Sequence, residues 1–120
     1  MRVLHVLDHS APLQSGYVSR TLGILRAQRA LGLDPVALTS PRHGAEAGAP
    51  ASSVETVAGF DFHRTPFPAR TLPGLGFRTE MAATARRLEE AVEETRPALI
   101  HAHSPVLNAF PAHAVAKRMN

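Results

Sequence analysis

The residues best suited to chemistry in this chain lie in two short stretches. One reads LIHAHSPVLNAF, Leu99 to Phe110, where an apolar run ends in His101 and His103 and passes straight into Ser104-Pro105. Residues two apart on a strand share a face, so both imidazoles point the same way, with Leu99 below them. A His-x-His pair on a strand can offer two ligands to one metal ion, with His5, His9 or Asp8 as a third. Alternatively His101 is structural, while His103, at the carboxyl end of its strand, reaches a ligand crevice. The plainest reading makes both rings ordinary polar groups bonded to nearby loop backbone. The second stretch, DHSAPLQSGY, places Asp8, His9, Ser10, Ser15, Gly16 and Tyr17 just ahead of a helix. Small residues at a helix start expose backbone N–H groups that can hold a phosphate. Neither a Gly-x-Gly-x-x-Gly fingerprint nor a P-loop Gly-Lys-Ser/Thr is present, and a lone glycine there would equally serve a tight turn. No Ser-His-Asp ordering specifies nucleophilic catalysis. His43, His63 and His113 stand alone in the sequence and are expected to face solvent.

Composition narrows what these residues can be asked to do. A chain of 120 residues has room for one domain with a real core. Alanine supplies 20 of its hydrophobic residues and tryptophan none, so leucine and valine must fill most of that core. The absence of cysteine excludes disulfides, thiolate metal sites and cysteine nucleophiles. The start, MRVLHVLDHS, is too short and too polar for a signal peptide, and no stretch approaches the ~18 apolar residues of a membrane span. These features predict a cytoplasmic protein. The net charge of +3, carried almost wholly by arginine, suggests affinity for anions such as phosphates or an acidic membrane surface. The arginines are scattered and Glu89, Glu90, Glu93 and Glu94 cluster, so the interleaved basic and aromatic groove of a nucleic-acid binder is missing.

The elements that must position the two stretches follow from hydrophobic spacing. Arg2 to Leu7 is a short apolar run, read as a strand buried on both faces. From about Val18, apolar residues recur at helical spacing through Leu22 and Leu25, with Ile24 and Leu31 alongside, and Gly32 supplies the stop. Pro35 to Thr39 is a second strand. Residues 40 to 53 have no period and little bulk, and are expected to form a mobile surface loop. VETV and FDFHRT flank Ala58-Gly59 and form either a hairpin or one irregular strand, with Phe60 to Thr65 the third main strand. Met81, Ala85, Leu88 and Val92 make one helical stripe. ALIHAH is the fourth main strand, Ser104 and Pro105 suit an N-cap and first helical residue, and Pro111 then either kinks the helix or starts another. This order predicts an α/β, Rossmann-like three-layer sandwich with a mostly parallel sheet, main-strand order 3-2-1-4. The loops after strands one and four flank the switch point where open α/β sheets bind ligands. The fourth strand lies at an apolar edge, through which the chain is expected to self-associate.

MRVLHVLDHSAPLQSGY together with RPALIHAHSP resembles the N-terminal domain of family 4 glycosyltransferases, enzymes with two Rossmann domains in the GT-B arrangement. HVLDHSxPLxSGY and HAHSPVLNA are runs characteristic of the branch associated with bacterial exopolysaccharide and exosortase-linked gene clusters. The resemblance spans nearly the whole chain, although residues 40 to 77 carry little of it. It implies that residues 1–120 are a partial N-terminal domain, truncated, with the C-terminal donor-binding domain and its two-glutamate motif absent. It further implies transfer of a sugar from a nucleotide-sugar donor to a glycan or lipid-linked acceptor, with retention, no cofactor and no required metal. Ser15, Gly16 and Tyr17 match the glycine loop that approaches the donor diphosphate, with Ser15-Gly16 standing where many members have Gly-Gly. His103 matches the histidine that points into the cleft beside the transferred sugar, and Ser104 and Asn108, in the same turn, would line it. The chain by itself is then expected to be catalytically silent, and its basic charge suggests peripheral contact with an inner membrane bearing lipid-linked acceptors. Two other readings stay open from the residues: a non-catalytic flavodoxin-like module binding a phosphorylated ligand, and a metal-dependent hydrolase using His101 and His103.

Overall fold

A computed structural model describes residues 1–47, 52–66, 76–105 and 107–119. The elements run β1 (Arg2–Leu7), α1 (Gly16–Ala30), β2 (Asp34–Thr39), α2 (Pro41–Ala47), β3 (Val54–Val57), β4 (Phe60–Arg64), α3 (Gly76–Thr95), β5 (Leu99–Ala102) and α4 (Ala109–Met119). They form one five-stranded sheet in the order β3-β4-β2-β1-β5. Strands β4, β2, β1 and β5 are mutually parallel and are the four main strands of the sequence reading, in the expected order. Of the two arrangements open for VETV and FDFHRT the structure takes the hairpin: β3 pairs antiparallel with β4 at the outer edge, a fifth strand beyond the four main ones. Ala58 and Gly59, both at positive φ, make the tight turn between them.

Alternation along β1 divides the core. Leu4 and Val6 face α3 and α4, packing with Val36, Leu38, Leu88, Ala91, Ala112 and Val115. Leu7 faces the other way, with Leu25, Ala37, Phe60 and Phe62 under α1. His5 shares that α1 face by the same alternation and is completely buried. Strand β5 continues both layers. Ile100 and Ala102 pack on the α3/α4 side, whereas Leu99 and His101, on the α1 side, are exposed.

Two Ser-Pro dipeptides behave oppositely, and each corrects the sequence reading. Of residues 40 to 53, expected as a loop, 48–51 lie outside the described residues, and Ser40-Pro41 instead starts α2. Ser40 Oγ accepts the Arg42 N–H at 3.3 Å and donates to the Asp8 carbonyl at 3.0 Å, and proline suits the first helical position. Ser104-Pro105 does not start a helix. Ser104 Oγ is diverted to Asp8 Oδ2 at 2.7 Å, its carbonyl takes the Ala109 N–H at 3.1 Å, and α4 begins only at Ala109. Pro111 therefore falls in the first turn of α4, where a missing N–H costs no intrahelical bond. Gly32, at φ 88°, does end α1, with the Leu33 N–H returning to the Gln28 carbonyl.

His43 and His63 are buried rather than solvent-facing. His43 Nδ1 accepts the Ser10 N–H at 3.2 Å, and His63 meets Arg87 at 3.2 Å. Burial, reinforced by Arg64, pushes the His43 imidazole down to about 4. The unfolded chain, with histidine near 6.5, therefore binds a proton that the folded chain refuses between pH 6.5 and about 4. Stability is fully present above that window and falls as pH drops through it, by about 3 kcal/mol from this ring. Urea midpoints taken from pH 7.5 down to 4 check this. His43→Asn keeps an acceptor for Ser10 without the titration, and is expected to remove this ring's share of the loss while that of the other buried histidines remains.

Candidate functional site

The carboxyl ends of β1 and β5 meet where the strand order reverses, and Asp8 sits at the centre. Its backbone N–H donates to the Tyr17 hydroxyl at 3.1 Å, its carbonyl accepts from Ser40, and its Oδ2 accepts from Ser104. One residue thus ties together the starts of α1 and α2 and the turn after β5. Its other carboxylate oxygen, Oδ1, is buried and has no hydrogen-bond partner among the described residues.

Ser15 caps α1, its Oγ accepting the Val18 N–H at 3.1 Å and lying 3.2 Å from His9 Nε2. Gly16 is the first residue of α1, and a Cβ added there would meet nothing within 4 Å. Neither a turn nor internal packing demands glycine at this position; it leaves the helix start bare. Tyr17 is half-buried between His9, at 4.8 Å between ring centroids, and the Arg20 guanidinium, 5.4 Å from its ring. Burial raises its hydroxyl above the ordinary phenol range, so it stays a neutral hydrogen-bonding group.

His103 leaves the end of β5 with its N–H bonded to the Val6 carbonyl. Its Nε2 lies 2.8 Å from His5 Nδ1, and His5 Nε2 lies 2.8 Å from Gln28 Oε1. A carbonyl oxygen only accepts, so His5 carries its proton on Nε2 and accepts on Nδ1. His103 must then donate from Nε2, which leaves its Nδ1 unprotonated. Burial, with His101, His5 and Arg20 adding to it, lowers the His103 imidazole to about 4. At neutral pH the ring is an uncharged hydrogen-bonding group and a poor proton donor.

His101, which one reading of the sequence made structural, is not buried. It is exposed, stacked on His103 at 4.2 Å and 5.2 Å from the His5 ring. Together the three rings bring nitrogen atoms within 4.8 Å of one another, so His5 is the third potential ligand anticipated among His5, His9 and Asp8. Asn108 is fully buried, its Nδ2 donating to the Val6 carbonyl at 3.1 Å and its Oδ1 without a partner among the described residues. The structure thus gathers Ser15, Gly16, Tyr17, His103 and Ser104 around the switch point and seats Asn108 against the β1 backbone.

Two supporting residues escaped the sequence reading. Gln28 reaches His5 from α1; its signal was a polar side chain three residues after Leu25 on the face that α1 buries. Arg64, on β4, holds Ser10 Oγ at 2.6 Å and the Ala11 carbonyl at 2.9 Å, fixing the loop after β1. Nothing local to Arg64 announces that role.

A family model described as a glycosyl transferase 4-like domain matches residues 15–120. No curated protein matches the chain.

Proposed function

The chain belongs to the glycosyl transferase 4-like domain family, and on that premise we propose that it is the acceptor-side half of a retaining, nucleotide-sugar-dependent glycosyltransferase. The observation that carries this reading is the placement of a bare helix start and a neutral histidine on opposite sides of one switch point. Gly16 opens α1 with nothing packed over it, which suits close approach of a diphosphate to backbone N–H groups and to the positive end of the helix dipole. Those groups oppose the charge that collects on the leaving diphosphate as the sugar becomes oxocarbenium-like. His103 holds a hydroxyl of that sugar by a hydrogen bond and so acts by orientation rather than acid–base chemistry. Ser104 sets the turn that carries His103 through its bond to Asp8.

The acceptor in this reading is a glycan or a lipid-linked sugar of exopolysaccharide assembly, met at the inner membrane surface from the cytoplasm. No helix among the described residues is long and apolar enough to cross a membrane; this reading makes the contact peripheral and driven by the basic charge. Pairing of two copies along the open edge of β5, where Leu99 is exposed, belongs to the same reading, and size-exclusion chromatography decides it. Donor binding belongs to a second domain, so residues 1–120 alone turn over no nucleotide sugar.

The test is product analysis with the full-length natural protein and a panel of nucleotide sugars, read by NMR of the new glycosidic bond. The expected result is transfer with the donor's anomeric configuration kept, and no transfer by residues 1–120 alone. An inverted product overturns retention, and turnover by the 120-residue chain overturns the division of labour.

A further inference from the structure

We propose that His5, His101 and His103 form a binding site for one divalent transition-metal ion of the zinc type, open to solvent on the α1 side of β5. The argument begins in the sheet. Parallel register sets His5 of β1 directly beside His101 of β5, and His103 follows two residues later on the same face. Three imidazoles therefore converge from two adjacent backbones that hydrogen bonds already fix. One ligand nitrogen from each ring lies within 4.8 Å of the others, and His5 Nδ1 and His103 Nε2 are 2.8 Å apart. Zinc–nitrogen bonds of about 2.0–2.1 Å at tetrahedral angles need nitrogens about 3.4 Å apart. That spacing lies inside the range the three rings already span, so small side-chain rotations are enough.

The donors also select the ion. Three neutral nitrogen ligands suit zinc, cobalt, nickel or copper, and offer nothing to magnesium or calcium, which require oxygen. A three-histidine set leaves a fourth position for water, and the exposure of His101 provides the way in. Behind the site, Gln28 Oε1 takes the His5 Nε2–H, which aims the Nδ1 lone pair at the other rings. Metal-bound imidazoles characteristically have such an outer partner. His101 gives a further reason to look here. It stacks on His103 and faces His5, yet makes no hydrogen bond among the described residues, so polar pairing does not account for a second histidine. On binding, the ion replaces the proton that His103 Nε2 shares with His5. That proton shifts to His103 Nδ1, and the ring stays neutral.

The experiment is a titration of residues 1–120 with Zn²⁺ by calorimetry and with Co²⁺ by visible absorption. The expected result is one ion per chain, with the intense bands of four-coordinate cobalt, and no heat from Mg²⁺. His101→Ala is the decisive variant, because the side chain is exposed and the fold does not depend on it. It is expected to weaken Zn²⁺ binding by about 100-fold, with His5→Ala and His103→Ala doing the same, and Gln28→Ala by about 10-fold. His113→Ala, at an exposed histidine on α4, leaves binding unchanged. Long-range ¹⁵N–¹H spectra of the imidazoles report the ring nitrogen that meets the ion, independently of any variant's stability. No binding at micromolar Zn²⁺, an unaffected His101→Ala, or dependence on His113 overturns the site. The glycosyltransferase reading requires no metal, so failure here leaves it standing, and transfer assays bear only on that reading.

Discussion

His103→Ala in the proposed transferase is expected to lower kcat by about 10²-fold while leaving KM close to that of the parent and lowering the unfolding midpoint only modestly, since the buried His5 Nδ1 loses its donor. The size follows from the task assigned to the ring. A group that orients a reacting sugar without exchanging protons with it contributes through alignment, and misplacement by about 1 Å costs about 10²-fold. Loss in kcat without loss in KM is the mark of an interaction made mainly in the transition state. The fold survives because His103 sits after the last residue of β5 and its backbone bond to Val6 does not involve the side chain. His103→Gln sharpens the test, since an amide restores a hydrogen-bonding group and should recover part of the loss. Equal kcat in parent and His103→Ala removes His103 from the site. A large drop in the unfolding midpoint would instead mark the ring as structural, through its bond to His5.

The same residue shows how far the sequence could be read. The four main strands and their order were legible because each is a short, nearly continuous apolar run, and handed crossovers leave few ways to arrange them. The switch point followed from that order, and with it the neighbourhood of Ser15, Gly16, Tyr17, His103 and Ser104. Helix α2 was not legible. Its sequence, PRHGAEA, has no apolar stripe and depends on the Ser40 cap and on contacts far away in the chain, such as Arg42 to Glu80 at 3.3 Å. His43 and His63 were misjudged for a related reason. Each is solitary in sequence, and the groups that bury it, Ser10 and Arg87, arrive from 33 and 24 residues away. His101 failed in the opposite sense. Alternation gave its face correctly, but burial depends on what covers that face, and α1 does not reach over β5 to do so.

Arg64→Met is expected to destabilise the chain by about 3–5 kcal/mol, because it breaks a buried network of charge-assisted hydrogen bonds. Arg64 lies on the interior strand β4, is almost wholly buried, and spreads one guanidinium over four acceptors. Its Nε meets Glu55 at 3.0 Å, Nη1 meets Ser10 Oγ and Thr39 Oγ1 at 2.6 and 3.3 Å, and Nη2 meets the Ala11 carbonyl at 2.9 Å. Methionine keeps the apolar stem but leaves the buried Ala11 carbonyl without its donor, a penalty of about 1–3 kcal/mol by itself. Glu55→Gln keeps an oxygen for Arg64 Nε but leaves the buried guanidinium without its counter-charge, and should cost up to about 3 kcal/mol; comparing the two variants separates the pair from the loop contacts. Urea unfolding measures both, and hydrogen exchange should quicken at Ser10 and Leu13 in Arg64→Met before global unfolding changes their neighbours. A cost under about 1 kcal/mol would mean the guanidinium is replaceable by solvent and the loop is held by Asp8 and His43. The basic balance of the sequence also looks different in this light. Arg64, and Arg87 with its bonds to the Arg64 and Ser53 carbonyls, spend their charge inside the protein as clamps. Anion affinity then rests on the remaining arginines and on the helix start at Gly16, the side of the switch point to which the diphosphate is assigned.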